Sequence, residues 1–201
     1  MNIDIYPKFR ELKISDAAVF NLAFKDNPPM ISEFTFTNLY SWRRAYSLRV
    51  SLFDGLIILC SESESRERFF NPVGKGDMKA AVEKILKDSG GIFFRLPEET
   101  IALFAKDNRF LIEPDRDSWD YLYSASDLMN LPGKKYDGKR NLPRYIRIIS
   151  DDTSGVYLPR GSEFSLCKYG AGFGNRGLRK AKLSYHPCSM INKYTLSLFE
   201  Q

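Results

Sequence analysis

Apolar and polar positions along this chain switch between two periods, and the switches outline its elements. Ser15 and Asp16 precede Val19, Phe20, Ala23 and Phe24, which recur at helical spacing until Asn27-Pro28-Pro29 ends the segment. Phe34 to Leu48 reads as a second helix, rich in aromatic residues. Leu48–Phe53 and Leu56–Cys60 flank Asp54-Gly55, the signal of a two-residue β-hairpin. A charged loop over residues 62–68 leads to a short strand from Arg68 to Val73. Asp77 then caps the clearest helix, where Met78, Ala81, Val82, Ile85 and Leu86 make one apolar stripe and Gly90 stops it. Ile92–Leu96 is a buried-looking strand. Pro97, Glu98 and Glu99 open another helix that runs through Phe104. Phe110–Ile112 and Trp119–Tyr123 are further strands, and Ser124 with Asp127 forms a variant capping box for Leu128–Leu131. Helices alternating with strands in a mixed, mostly antiparallel sheet predict an α+β layer fold.

Composition narrows the function more than the fold. The chain has 201 residues, 43% hydrophobic and 27% charged, which is ordinary for a globular protein. No apolar run approaches the roughly 18 residues of a membrane span, and the N-terminus shows no secretion signal. Three cysteines, Cys60, Cys167 and Cys188, fit reduced thiols and a cytoplasmic setting better than a disulfide framework. The single histidine, His186, excludes a zinc site built on several histidines, and no metal is expected. The net charge of +5 is unevenly placed. Residues 1–141 hold 21 Lys+Arg and 21 Asp+Glu; residues 142–201 hold 9 and 4. That shift predicts a boundary at residue 141, between a neutral lobe and a basic, glycine-containing tail.

The densest candidate chemistry lies between Trp119 and Asn141. Alternating aromatics lead into a short capped helix, followed by Gly133 and Gly138 among Lys134, Lys135, Lys139 and Arg140. Glycines let the backbone approach a phosphate, and the cations supply matching charge, so these cations with Asn141 form a candidate phosphate-binding group. The competing reading is a solvated basic turn. Asp120, Tyr121 and Tyr123 on the preceding strand are candidates to orient an amine or donate a proton; packed strand residues with satisfied hydroxyls are the alternative. Residues 172–177 match G-x-G-x-x-G through Gly172, Gly174 and Gly177, with a strand expected over Leu166–Tyr169 and a helix from Leu178. No acidic residue follows at the distance a dinucleotide ribose requires. His186 and Cys188, two positions apart, make a weak nucleophile pair. Tyr40, Trp42, Arg43, Arg44 and Tyr46 could stack bases, but at helical spacing they read first as core and solvated faces.

Ile31-Ser32-Glu33-Phe34-Thr35-Phe36-Thr37-Asn38-Leu39-Tyr40-Ser41-Trp42-Arg43, the Phe70–Gly74 step and Asp115–Asn141 together resemble the C-terminal domain of bacterial phosphatidylglycerol lysyltransferase and its stand-alone cytoplasmic relatives. The resemblance covers roughly residues 8–141. It implies a fold of the GCN5-related N-acetyltransferase type, often as two lobes in tandem, and transfer of an aminoacyl or acyl group. The implied donors are aminoacyl-tRNA or acyl-coenzyme A, with no tightly bound cofactor. tRNA is the implied partner, and peripheral contact with a membrane stays open. Within the family pattern Ser32, Glu33 and Thr37 read most simply as helix-capping residues. Where the family continues Lys139-Arg140-Asn141 with histidine, this chain has Leu142-Pro143, and proline disfavours a continuing helix. Residues 142–201 are therefore read as a truncated or frame-shifted second lobe. A non-catalytic single lobe and a nucleic-acid module led by the basic tail are the alternatives.

Overall fold

In a computed structural model of the chain, residues 3–62, 66–140, 166–169 and 175–199 are described. They divide into two units: Met1–Arg116 with Asn192–Gln201, and Asp117–Ile191. The packing divides the chain after Arg116 and again after Ile191.

The first unit is a mostly antiparallel sheet with helices, as the periodicity predicts. Its elements are β1 (Arg10–Glu11), α1 (Ala17–Asp26), α2 (Phe36–Trp42), β2 (Leu48–Phe53), β3 (Leu56–Ser61), β4 (Arg68–Phe69), β5 (Val73–Gly74), α3 (Met78–Ser89), β6 (Ile92–Pro97), α4 (Glu98–Ile101) and β7 (Phe110–Pro114). The second unit supplies β8 (Asp120–Ser124), α5 (Ala125–Asn130), α6 (Asp137–Arg140), β9 (Leu166–Tyr169), α7 (Arg176–Leu183) and β10 (Ser189–Ile191). The chain then returns to the first unit as β11 (Lys193–Leu198). The strand order is β1-β2-β3-β4-β6-β11-β7, with β5 beside β3. Only β4 and β6 among these neighbours pair in parallel.

Local chemistry explains several boundaries. Asp54 (φ 46°) and Gly55 (φ 81°) form the turn that pairs Phe53 with Leu56. Asp77 accepts a hydrogen bond from the Ala80 amide at 3.0 Å and starts α3; Gly90 ends it. The helix expected from Phe34 is shorter than its aromatic pattern, because Thr35 caps it through the Asn38 amide and it closes at Trp42.

β3 is buried along its whole length. Leu56, Ile58 and Cys60 join the α3 stripe of Ala81, Val82, Ile85 and Leu86 in one core with Phe69, Phe93 and Leu196. Alternation sends Ile57 and Leu59, also buried, to the opposite face. A second apolar group forms through ring contacts of 5.5–6.2 Å among Phe20, Phe24, Phe34, Phe36 and Phe70. Burial pushes the Cys60 thiol up to about 12, so it stays protonated and inert at neutral pH.

The described part of the expected tail includes an inner strand of the sheet. β11 lies between β6 and β7, antiparallel to both, and buries Leu196 completely. Truncating a buried leucine to alanine costs about 2–5 kcal/mol.

Asp16 ties β1 to α1. It is almost fully buried, receives both Arg10 guanidinium nitrogens at 2.7 and 2.8 Å, and accepts the Lys13 amide at 2.8 Å. Burial raises its carboxyl, but these hydrogen bonds outweigh burial and hold it below the usual range. A depressed folded-state pKa contributes stability above the unfolded value, and that contribution is lost as pH falls through the folded value. Asp16→Asn should cost about 1–3 kcal/mol at pH 7. In urea unfolding, the gap between wild type and variant should narrow on acidification below pH 4.

Candidate phosphate and oxyanion sites

The second unit holds most of the candidates that the sequence singles out. β8 is the middle strand of an antiparallel sheet ordered β10-β8-β9. Tyr121 and Tyr123 share one face of β8, and alternation puts the buried Asp120 on the other. The three side chains therefore do not converge as one constellation. Tyr123 donates its hydroxyl to the Lys182 carbonyl at 2.9 Å, which ties β8 to α7. The Tyr121 ring is fully buried beneath the Lys182 ammonium, 5.5 Å from its centroid. Its hydroxyl has no hydrogen-bond partner among the described residues.

Ser124 caps α5 as predicted, accepting the Asp127 amide at 3.2 Å. α5 ends at Leu131 in the left-handed region, and Gly133 follows at φ 74°, ψ 174°, a conformation that only glycine adopts easily. A 3₁₀ turn over Lys134–Tyr136 and the short α6 then present the cations. Tyr136 anchors the turn. Its ring is fully buried, and its hydroxyl donates to the Tyr185 carbonyl at 3.0 Å, with Asp127 at 3.4 Å. Burial raises its phenol above the ordinary value, so it remains a donor at neutral pH.

The four cations differ in role. Arg140 donates to the Leu131 and Gly133 carbonyls and pairs with Asp137, so it braces the turn. Lys135 pairs with Asp127 at 2.9 Å, and that hydrogen bond raises its pKa further. Lys139 lies over the Tyr185 ring at 4.2 Å. Lys134 is exposed and makes no ion pair among the described residues. Asn141, Gly172 and Gly174 lie outside the described residues. Gly177 is the second residue of α7, which Asn175 caps by accepting the Leu178 amide at 3.0 Å. The strand and helix expected around the glycine motif are present as β9 and α7. His186 and Cys188 each meet a backbone carbonyl, of Lys135 and Leu122, both at 3.2 Å. Among the described residues no group of three or more His, Cys, Asp or Glu could hold a metal ion.

The first unit contains a charged group that sequence reasoning missed. Lys193, fully buried at the start of β11, sets its ammonium 2.6 Å from Glu33 Oε2. Arg95 reaches Glu33 Oε1 at 3.5 Å. Thr35, not Glu33, caps α2. Arg95 occupies a β-bulge: Tyr194 pairs with Leu96 and Leu196 with Phe93, so β6 carries an extra residue. Arg95 is held there at φ 54°, in the left-handed region. Its guanidinium lies 5.3–5.9 Å from the Tyr46, Phe70 and Phe94 ring centroids. Arg68 stacks on Phe94 at 4.3 Å. Only the Ile31–Arg43 and Phe70–Gly74 family motifs flag this region in the sequence, because it assembles from residues 33, 68, 95 and 193.

Residues 26–147 match the family described as phosphatidylglycerol lysyltransferase, C-terminal, and the chain belongs to that family. Two solved structures share its fold. One is a conserved protein of unknown function from Bacteroides thetaiotaomicron VPI-5482, 19% identical, with a TM-score of 0.76 over 95% of this chain and 99% of that one. The other is L-PGS from Bacillus licheniformis, 12% identical, with a TM-score of 0.59 over 100% of this chain and 95% of that one. At these identities the likeness is one of fold. No curated protein matches the sequence. No described helix is long and apolar enough to cross a membrane.

Removing one member of a buried ion pair takes a close counter-charge from the other, at a cost of about 3–5 kcal/mol. Glu33→Gln should lose that much by urea unfolding. Glu33→Gln with Lys193→Met should recover most of the loss, because no ammonium is then left buried beside a neutral amide. A double variant no more stable than Glu33→Gln would show that the pair is not the source of the effect.

Proposed function

We propose that this chain is an acyl-transfer domain whose donor is aminoacyl-tRNA or acyl-coenzyme A, held by its phosphates at the cationic turn of the second unit. Family membership over residues 26–147 carries the reading, because the turn from Gly133 to Arg140 falls inside the matched region. Acyl transfer requires a nucleophile to attack the donor's carbonyl carbon, an oxyanion to form and collapse, and the leaving oxygen or sulfur to gain a proton. In this reading Lys134, Lys135 and Lys139 hold phosphate oxygens, while Arg140 and Tyr136 keep the turn rigid. Tyr121 is the proton donor, since Tyr123 is committed to the Lys182 carbonyl and the buried Tyr121 hydroxyl has no partner among the described residues.

A nucleic-acid module led by α7 is the second reading. Arg176 and Lys180 are exposed on that helix, whereas Arg179 pairs with Asp117. Salt dependence separates the two readings. Lys134→Ala, Lys135→Ala and Lys139→Ala combined should weaken binding of a labelled aminoacyl-tRNA or of acyl-coenzyme A by at least about tenfold. For tRNA, the salt slope should fall by about 0.7–0.9 per lost phosphate contact. Unchanged affinity for both donors would overturn the assignment. Loss of tRNA binding only in Arg176→Ala with Lys180→Ala would favour the helix.

A further inference from the structure

We infer that the C-terminal end of α2 is a stacking surface for single-stranded nucleic acid, in which the Trp42 ring takes a base and Arg44 meets a neighbouring phosphate. The surface lies in the first unit, and the inference does not rest on the acyl-transfer reading. At helical spacing the aromatics from Tyr40 to Tyr46 read first as core. The structure separates them from it. α2 closes at Trp42, so the helical period stops there, and Trp42 is left 54% exposed. Tyr40 and Tyr46 are only half-buried.

The flat groups are arranged in contact. Phe36 stacks on Tyr40 one turn before it, with ring planes 19° apart. One turn after it, the Arg43 guanidinium lies 3.6 Å from the Tyr40 centroid, and it donates to the Tyr40 carbonyl at 2.6 Å. Trp42 meets the Tyr46 ring at 6.0 Å. Every base has a π-face, so aromatic rings and guanidinium planes receive bases with little regard to sequence.

Charge decides which partner fits. Residues 34–53 contain three arginines and no acidic residue. Arg49 is paired with Glu62 and Glu67, whereas Arg43 and Arg44 make no ion pair among the described residues. Arg44 is exposed next to Trp42. An exposed ring beside a cation suits a base and its phosphate. A membrane surface fits less well. It calls for a face of several bulky apolar side chains, and the residues exposed with Trp42 between positions 41 and 47 are Ser41, Arg44, Ala45 and Ser47.

The test measures binding of a fluorescein-labelled oligo(dA) of about 12 nucleotides to the full chain by anisotropy. The same strand in a duplex is the control. The single strand should bind saturably and more tightly than the duplex. Trp42→Ala should weaken binding at least about fivefold, and Trp42→Phe should keep most of it. Arg44→Gln should lower the salt slope by about 0.7. In Trp119→Phe, Trp42 is the sole tryptophan, and the unlabelled strand should quench its emission with the same midpoint; this decides the matter if Trp42→Ala does not fold. Unchanged affinity in Trp42→Ala, no quenching, or a duplex bound as tightly would each overturn the surface. Loss of binding in the Lys134, Lys135 and Lys139 variant or in Arg176→Ala with Lys180→Ala, but not in Trp42→Ala, would overturn it and move the contact to the second unit. Quenching of Trp42 by vesicles of phosphatidylglycerol and phosphatidylcholine, but not by the strand, would overturn it in favour of a membrane surface.

Discussion

A lysine ammonium with no exposure to solvent constrains this protein more than any other single group. An isolated buried ammonium is among the costliest groups a fold can contain. Lys193 is tolerable because Glu33, far away in sequence, meets it at 2.6 Å. The segment before α2 and the first residue of β11 must therefore come together. The Lys193 carbonyl also accepts the Asp115 amide at 2.8 Å, just beyond the end of β7. Around this point β11 pairs with both β6 and β7, and the bulge in β6 forms opposite it. Hydrophobic burial supplies most of the stabilisation, but it is non-directional. The ion pair adds a requirement of register, because a one-residue slip of β11 would turn Lys193 to the other face of the sheet.

Much of the fold was legible wherever the deciding chemistry is local. Asp54-Gly55, the Asp77 cap, the α3 stripe and the Ser124 cap each act within a few residues, and each element appears where it was expected. Long-range assembly was not legible. Nothing near Lys193 indicates that a basic tail returns to the middle of a sheet. The parallel pairing of β4 with β6 is likewise set by partners remote in sequence. The aromatic run after Phe34 read as a longer helix because its rings recur at helical spacing; several of those rings instead serve the core and the arginine cluster.

The candidate sites show the same division. The cations from Lys134 to Arg140 were visible as a run, but their different roles depend on what each touches. Arg140 satisfies carbonyls that the end of α5 leaves open, a structural task indistinguishable in sequence from phosphate binding. Tyr136 went unremarked, although it anchors the turn. Arg68 and Arg95 each look like ordinary charged residues beside a strand. Only the bulge and the shared Phe94 ring make them a pair.

The placement of β11 between β6 and β7 also bears on how the protein is made. A ribosome delivers residues in order, and domains commonly begin folding from the N-terminal end during synthesis. Here β6 and β7 cannot be joined until residues 193–198 have emerged. Until then each presents an unpaired edge, and such edges invite pairing with other chains. The seam thus stays open from the completion of β7 at Pro114 until β11 arrives at Lys193, a stage at which a chaperone or a slow elongation step would have its greatest effect.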